Sequence, residues 1–173
     1  MRLDPASFVV VSYNRALIFL YEGKFEDAQR ELDRARSVEP NNPLLNTVRA
    51  LSLYYTKRPA EAEQILREVL QANPNLHGVR PTLAMCLSRQ GKHEEALAEL
   101  TDSVIRNASV DADIAYAVGS VYALEGDSEQ ALGWLQRSVA LGNGNKPCFD
   151  GDPNLKSVRA DPRFGELMAK IAR

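Results

Sequence analysis

A chain of 173 residues with Lys+Arg 21 against Asp+Glu 23 carries a formal net charge of -2, without the basic excess of a nucleic-acid binder. Hydrophobic residues at 45% and charged residues at 25% are the proportions of an ordinary folded chain, and they exclude a disordered one. The most apolar stretch, Phe8 to Tyr21, is interrupted by Asn14 and Arg15 and falls short of the ~20 apolar residues of a bilayer span. No small-residue cleavage site follows it. Cys86 and Cys148 stand alone, without a CxxC pair. The expected setting is cytoplasmic, with the periplasm the alternative if a larger parent carries a targeting segment.

Taken in chain order, apolar residues recur at helical spacing, first as Ala16, Phe19 and Leu20, then as Phe25, Ala28, Leu32 and Ala35. The pattern predicts a helix pair reversing at Gly23, a residue that tolerates left-handed backbone, with further reversals at Gly91 and Gly126. It then repeats. Ala28, Ala62, Ala96 and Ala131 stand at steps of 34, 34 and 35, and Leu32, Leu66, Leu100 and Leu135 keep the same steps. A third column, Ala16, Ala50, Ala84 and Gly119, is always small, and a fourth, Phe19, Leu53, Leu87 and Tyr122, is always large and apolar. Two facing columns of small residues let paired helices approach closely, and the leucine column is expected to be core throughout. Pro59 and Pro81 fall near helix starts, where a missing N–H costs nothing.

These columns resemble the tetratricopeptide repeat, a helix–turn–helix unit of 34 residues. On that register the repeats run 9–42, 43–76, 77–111 and 112–145, the third one residue longer, with a lead-in at 1–8 and a tail at 146–173. The resemblance implies an all-α fold, a right-handed α-solenoid of four repeats plus a C-terminal capping helix. Departures from the motif include Ser12, Asn46, Arg80 and Ala115 at its fourth position, and Arg15 and Arg49 at its seventh. Met1-Arg2-Leu3-Asp4-Pro5 reads either as the end of an earlier repeat, which would expose apolar surface on Val9 and Val11, or as a start of the first helix. In the tail, Asp152-Pro153 and Asp161-Pro162 each supply a cap followed by a helix-initiating proline. Phe164, Leu167, Met168 and Ile171 then form one face of a closing helix. The segment from Asp152 to Phe164 also resembles the end of bacterial multidomain signalling proteins whose repeats follow a kinase, cyclase or winged-helix domain.

No catalytic or metal-binding pattern emerges. His77 and His93 lack partners at zinc spacing, and the alternation Asp150, Asp152, Asn154 lacks the glycine and final glutamate of a calcium loop. No cofactor is expected, and the chain does not read as an enzyme. The resemblance instead implies binding on the inner face of the first helix of each repeat, where Val10, Tyr13, Leu17, Tyr21, Tyr54, Tyr55, Arg89 and Tyr116 fall. Five of the six tyrosines lie there, offering apolar area and a hydroxyl at low entropic cost, although several could instead pack between helices. The Lys/Asn/Arg clamp of chaperone-tail binders is missing, since Tyr13, Leu17, Val48, Gly78 and Thr82 occupy its places. Arg15, Arg49 and Arg80 form either an anion-reading ladder or ordinary pairs with helix acids such as Glu26 or Glu61. The expected partner is a protein or peptide, with no nucleic acid and no membrane contact by this chain. The alternative is self-association, as a homo-oligomer through the N-terminal end, or docking within a larger assembly.

Overall fold

The computed structural model describes residues 5–171, and side chains from Ser7 onward. Among them there are helices and turns but no strand. The chain divides into two compact units, the first ending at Pro74 and the second starting at Asn75. The first holds α1 (Pro5–Tyr21), α2 (Phe25–Arg36), α3 (Pro43–Tyr55) and α4 (Pro59–Ala72), with α1 on α2, α3 on α4, and α2 against α3. The second opens with a 3-10 turn (His77–Val79) and continues through α5 (Arg80–Ser88), α6 (His93–Ala98), α7 (Asp102–Ala108), α8 (Ala112–Leu124) and α9 (Ser128–Ala140). It closes with α10 (Lys146–Gly151), a 3-10 helix (Pro153–Ser157) and α11 (Pro162–Ile171). The fold is all-α, built from helix–turn–helix pairs with extra C-terminal helices. Residues 5–8 belong to α1, while Met1–Asp4 of the expected lead-in lie outside the described residues.

The small columns set how the pairs close. Ala16, Ala50, Ala84, Ala28, Ala62, Ala96 and Ala131 are fully buried. At Gly119 a Cβ would stand 3.0 Å from Leu135 Cγ and 3.2 Å from the Ala131 carbonyl, so α8 and α9 touch almost backbone to backbone. Each reversal uses the same device. The backbone N–H groups of Lys24, Arg58, Lys92 and Asp127 donate to the carbonyls of Phe19, Leu53, Leu87 and Tyr122 at 2.8, 2.9, 3.0 and 3.0 Å. This is the hydrogen bond of a Schellman turn, and it needs a left-handed residue just before the donor. Gly23, Gly91 and Gly126 supply it at φ +71°, +76° and +80°, and in the second repeat Lys57 supplies it at φ +63°.

The third repeat departs from the expected pattern. Its second helix is broken into α6 and α7, because Thr101 turns extended (φ -63°, ψ 163°) and caps a new helix by accepting from Val104 N at 3.4 Å. The break absorbs the extra residue of that repeat. It also corrects the expectation for Leu100, which is only half-buried, whereas Leu32, Leu66 and Leu135 are fully buried. Val104 and Ala108, one and two helical turns further on, are the fully buried residues there. At the end of the chain Phe164, Leu167 and Met168 of α11 join Ala131, Leu132 and Leu135 of α9 in one core with Phe149, Leu155 and Val158.

Two stability predictions follow from this geometry. Leu66→Ala should cost about 2–5 kcal/mol in urea denaturation, and Leu100→Ala distinctly less, because a half-buried side chain leaves little cavity. Lys57→Gly should stabilise the first unit by roughly 0.5–1 kcal/mol, since relief of left-handed strain at a non-glycine residue outweighs the added freedom of the unfolded chain.

Candidate functional site

In the first unit, the inner-face positions of α1 and α3 present a mostly apolar surface. Val10 is 58% exposed, Tyr21 40% and Leu44 47%, and Tyr13, Leu17, Thr47, Leu51 and Tyr55 are half-buried between them. Tyr54 is 5% exposed and meets the ring of Tyr55 edge-on at 5.2 Å, so it supports the surface from below. Tyr55 is further steadied by Phe25 of α2, stacked at 6.3 Å and 18°. Apolar residues recur here because the α1 segment is apolar on nearly all sides. One side meets α2 through Ala16 and Leu20, a second packs on α3 and buries Val9 and Ser12, and Val10, Val11, Ile18 and Tyr21 stay exposed.

In the second unit part of the same face is covered by the chain's own tail, while Gly78, Arg89 and Asp113 stay exposed. Tyr116 of α8 donates its hydroxyl to Asp152 Oδ2 at 2.7 Å and meets the Phe149 ring edge-on at 4.9 Å. Arg89, just past α5, donates to Asn154 Oδ1 at 2.9 Å, and the Asn154 amide donates to Met85 Sδ at 3.4 Å. Ser157 Oγ donates to the Ala123 carbonyl at 2.6 Å. Asn154 therefore reaches α5 while its neighbours bind α8, which requires the 3-10 helix to cross the inner faces of both. Met85 and Ser120 are buried there, whereas Leu17 and Leu51 at the same positions of the first unit are half-buried. Of the candidate contacts, Val10, Tyr13, Leu17, Tyr21, Tyr54 and Tyr55 gather on the first unit, and Arg89 and Tyr116 hold the tail of the second. Sequence reasoning took Asp152 as a helix cap and did not foresee its second bond, or the role of Asn154 and Leu155. The only local signal was the apolar pair Leu155 and Val158 beside a cap.

Asp152 and Asp161 act as caps, accepting from Asn154 N and Arg163 N, each at 2.9 Å. Among the described residues no group of three His, Cys, Asp or Glu side chains is placed to hold a metal. Two arginines of the suspected ladder pair with acids of their own repeat, one on α2 and one just past α6. Arg15 lies 3.3 Å from Glu31, and Arg80 lies 2.6 Å from Glu99. Burial pushes the Cys148 thiol up to about 11, although the thiol sits 3.4 Å from the Tyr116 hydroxyl. No described helix is long and apolar enough to cross a membrane.

Two tetratricopeptide-repeat profiles match the sequence, over residues 13–77 and 53–121, together more than half of the chain. No curated protein matches it. Among solved structures, MamA (residue 41 to the end) from Desulfovibrio magneticus RS-1 is similar at 22% identity, with a TM-score of 0.51 over 95% of this chain and 93% of that one. A double mutant of MamA RS-1 matches at 20% identity with the same TM-score and coverage. PilF of Pseudomonas aeruginosa matches at 18% identity and a TM-score of 0.57, over 97% of this chain and 77% of that one. At these identities the likeness concerns the fold alone.

The tail contacts can be tested through Asp152 and Cys148. Asp152→Ala strips two partners of their acceptor in a buried site and should cost roughly 2–4 kcal/mol, while Tyr116→Phe should cost about 1–2 kcal/mol. Cys148 should react with a thiol reagent at pH 8 at least ~100-fold more slowly than in the unfolded chain, because a pKa raised from 9.0 to about 11 leaves that much less thiolate. Between pH 9 and about 11 the unfolded chain releases this proton while the folded one keeps it, so stability falls across that window, and Cys148→Ala should lack this part of the fall.

Proposed function

The chain belongs to the tetratricopeptide repeat family, and from that premise we propose that its first unit holds a peptide segment of a partner protein against the inner faces of α1 and α3. The fold is that of a non-enzymatic interaction module. One observation carries the finer reading: Leu17 and Leu51 stay half-buried beside exposed Val10, Tyr21 and Leu44, whereas Met85 and Ser120, which hold the positions of Leu17 and Leu51 in the second unit, are buried. Half-buried Tyr13, Leu17, Leu51 and Tyr55 complete an apolar floor with hydroxyls at its edge, suited to a segment with two or three apolar anchors. A single peptide bound this way typically has micromolar affinity, about -8 kcal/mol. The likeness of residues 152–164 to the closing segment of bacterial multidomain signalling proteins supports a place in a larger regulatory or scaffold protein. The two free, buried cysteines support a cytoplasmic setting.

A second reading, self-association or docking through α1, is favoured by Val11 at 43% and Ile18 at 54% exposure, two helical turns apart on one side of the helix. Val9 does not belong to that surface, being 5% exposed within the core of the first unit.

Capture from native extract, comparing the chain with a Val10→Glu/Leu44→Glu variant of unchanged circular dichroism, tests the first reading. Loss of the partner, or at least a tenfold weakening, is the expected result, and equal capture would overturn it. Sedimentation equilibrium tests the second. A concentration-dependent dimer dissociated by Val11→Glu/Ile18→Glu is its expected outcome, and a monomer at all concentrations would sink it.

A further inference from the structure

Away from the inner face, the first unit contains a cleft of about 440 Å³, lined by Arg36, Pro40, Asn46, Arg49, Ile65 and Glu68 among others. Two arginines stand in its lining against one acid, Glu68. Arg15 and Arg49 occupy one column of the repeat, 34 residues apart, and Glu31, Ile65 and Glu99 occupy another at steps of 34. In the first and third repeats the acid of that second column neutralises an arginine of the first helix, through Arg15–Glu31 and Arg80–Glu99. In the second repeat isoleucine stands where the acid would be. Arg49 forms no ion pair among the described residues, and the carboxylate it influences from a distance, Glu61, is clasped by Arg58 through bonds of 2.6 and 2.5 Å. Beside it Arg36 Nε is completely buried without a hydrogen-bond partner among the described residues. The acid lining the cleft, Glu68, is exposed and accepts from Gln64, one turn back, at 3.2 Å.

We propose that this cleft receives a carboxylate side chain of an acidic segment in a partner protein, with Arg36 and Arg49 as its donors. Two planar guanidinium groups offer the forked geometry that a carboxylate accepts in pairs. The incoming group takes the place that Glu31 and Glu99 hold in the neighbouring repeats, which is why a carboxylate is the fitting anion. Lined in part by α4, the cleft shares no residue with the apolar surface of α1 and α3. It is a separate site and does not depend on the peptide-binding reading above.

The test uses the full chain labelled with ¹⁵N, following the arginine Nε–H signals. The probes are a blocked tetraglutamate peptide, a blocked tetraglutamine peptide and inorganic phosphate, at constant ionic strength. The expected result is a saturable shift of the Arg36 and Arg49 signals with tetraglutamate and none with tetraglutamine. Ile65→Glu installs the acid of the other repeats and should weaken the peptide at least tenfold without altering the circular dichroism. Arg49→Gln should weaken it similarly and serves if Ile65→Glu fails to fold. Leu44→Glu should leave it unchanged, so failure of the inner-face reading stays distinguishable. Absence of any shift, an equal response to tetraglutamine, or wild-type affinity in the folded variants would overturn the proposal. So would saturation by phosphate without saturation by tetraglutamate, which would assign the cleft to a phosphorylated ligand.

Discussion

The close approach of the two helices in each pair governs the rest of this molecule. Alanine or glycine stands at both facing positions in all four pairs, and at Gly119 even a methyl group would press on Leu135 and the Ala131 carbonyl. Helices that near each other leave no room for a long connection. The reversal therefore takes place over a few residues, with one left-handed residue and the same backbone bond each time. Phe19, Leu53, Leu87 and Tyr122, whose carbonyls accept this bond, also carry side chains that are buried or half-buried.

The same constraint shows how the repeat tolerates an insertion. An extra residue inside a packed helix would rotate everything beyond it by about 100°, carrying apolar residues out of the core. The third repeat avoids this by stopping α6 and capping a new helix at Thr101. Ala96 keeps its place before the break, Val104 and Ala108 recover the buried side after it, and Leu100 at the junction loses full burial. The cost is confined to one leucine.

Equivalent positions on the inner face have unlike fates in the two units. In the second, a segment anchored by the fully buried Phe149, Leu155 and Val158 brings Asp152 and Asn154 against Tyr116, Arg89 and Met85. Three buried apolar side chains at ~1.5–3 kcal/mol each make that cover part of the core rather than a readily displaced ligand. In the first unit Leu17 and Leu51, at the positions of Met85 and Ser120, are only half-buried, and Tyr21 is exposed. An analogous contrast runs through the charged columns, where two arginines meet an acid of their own repeat and Arg49 does not.

By itself the sequence determined what local period and residue size control: the helix pairs, their small facing columns, the glycine reversals, the proline helix starts and the apolar closing helix. Lys57 belonged to that class too, since it stands 34 residues from Gly23, but a lysine carries no compositional mark of left-handed backbone. Tertiary structure alone decided where the extra residue of the third repeat is absorbed, because a break at Thr101 and one nearer the helix end satisfy the same local preferences. It alone decided that Asn154 reaches Arg89, 65 residues away. It also separated buried Tyr54 from exposed Tyr21, although both sit on inner-face positions of the same motif. Burial depends on what arrives from distant parts of the chain, and a repeat pattern specifies only the neighbours one period away.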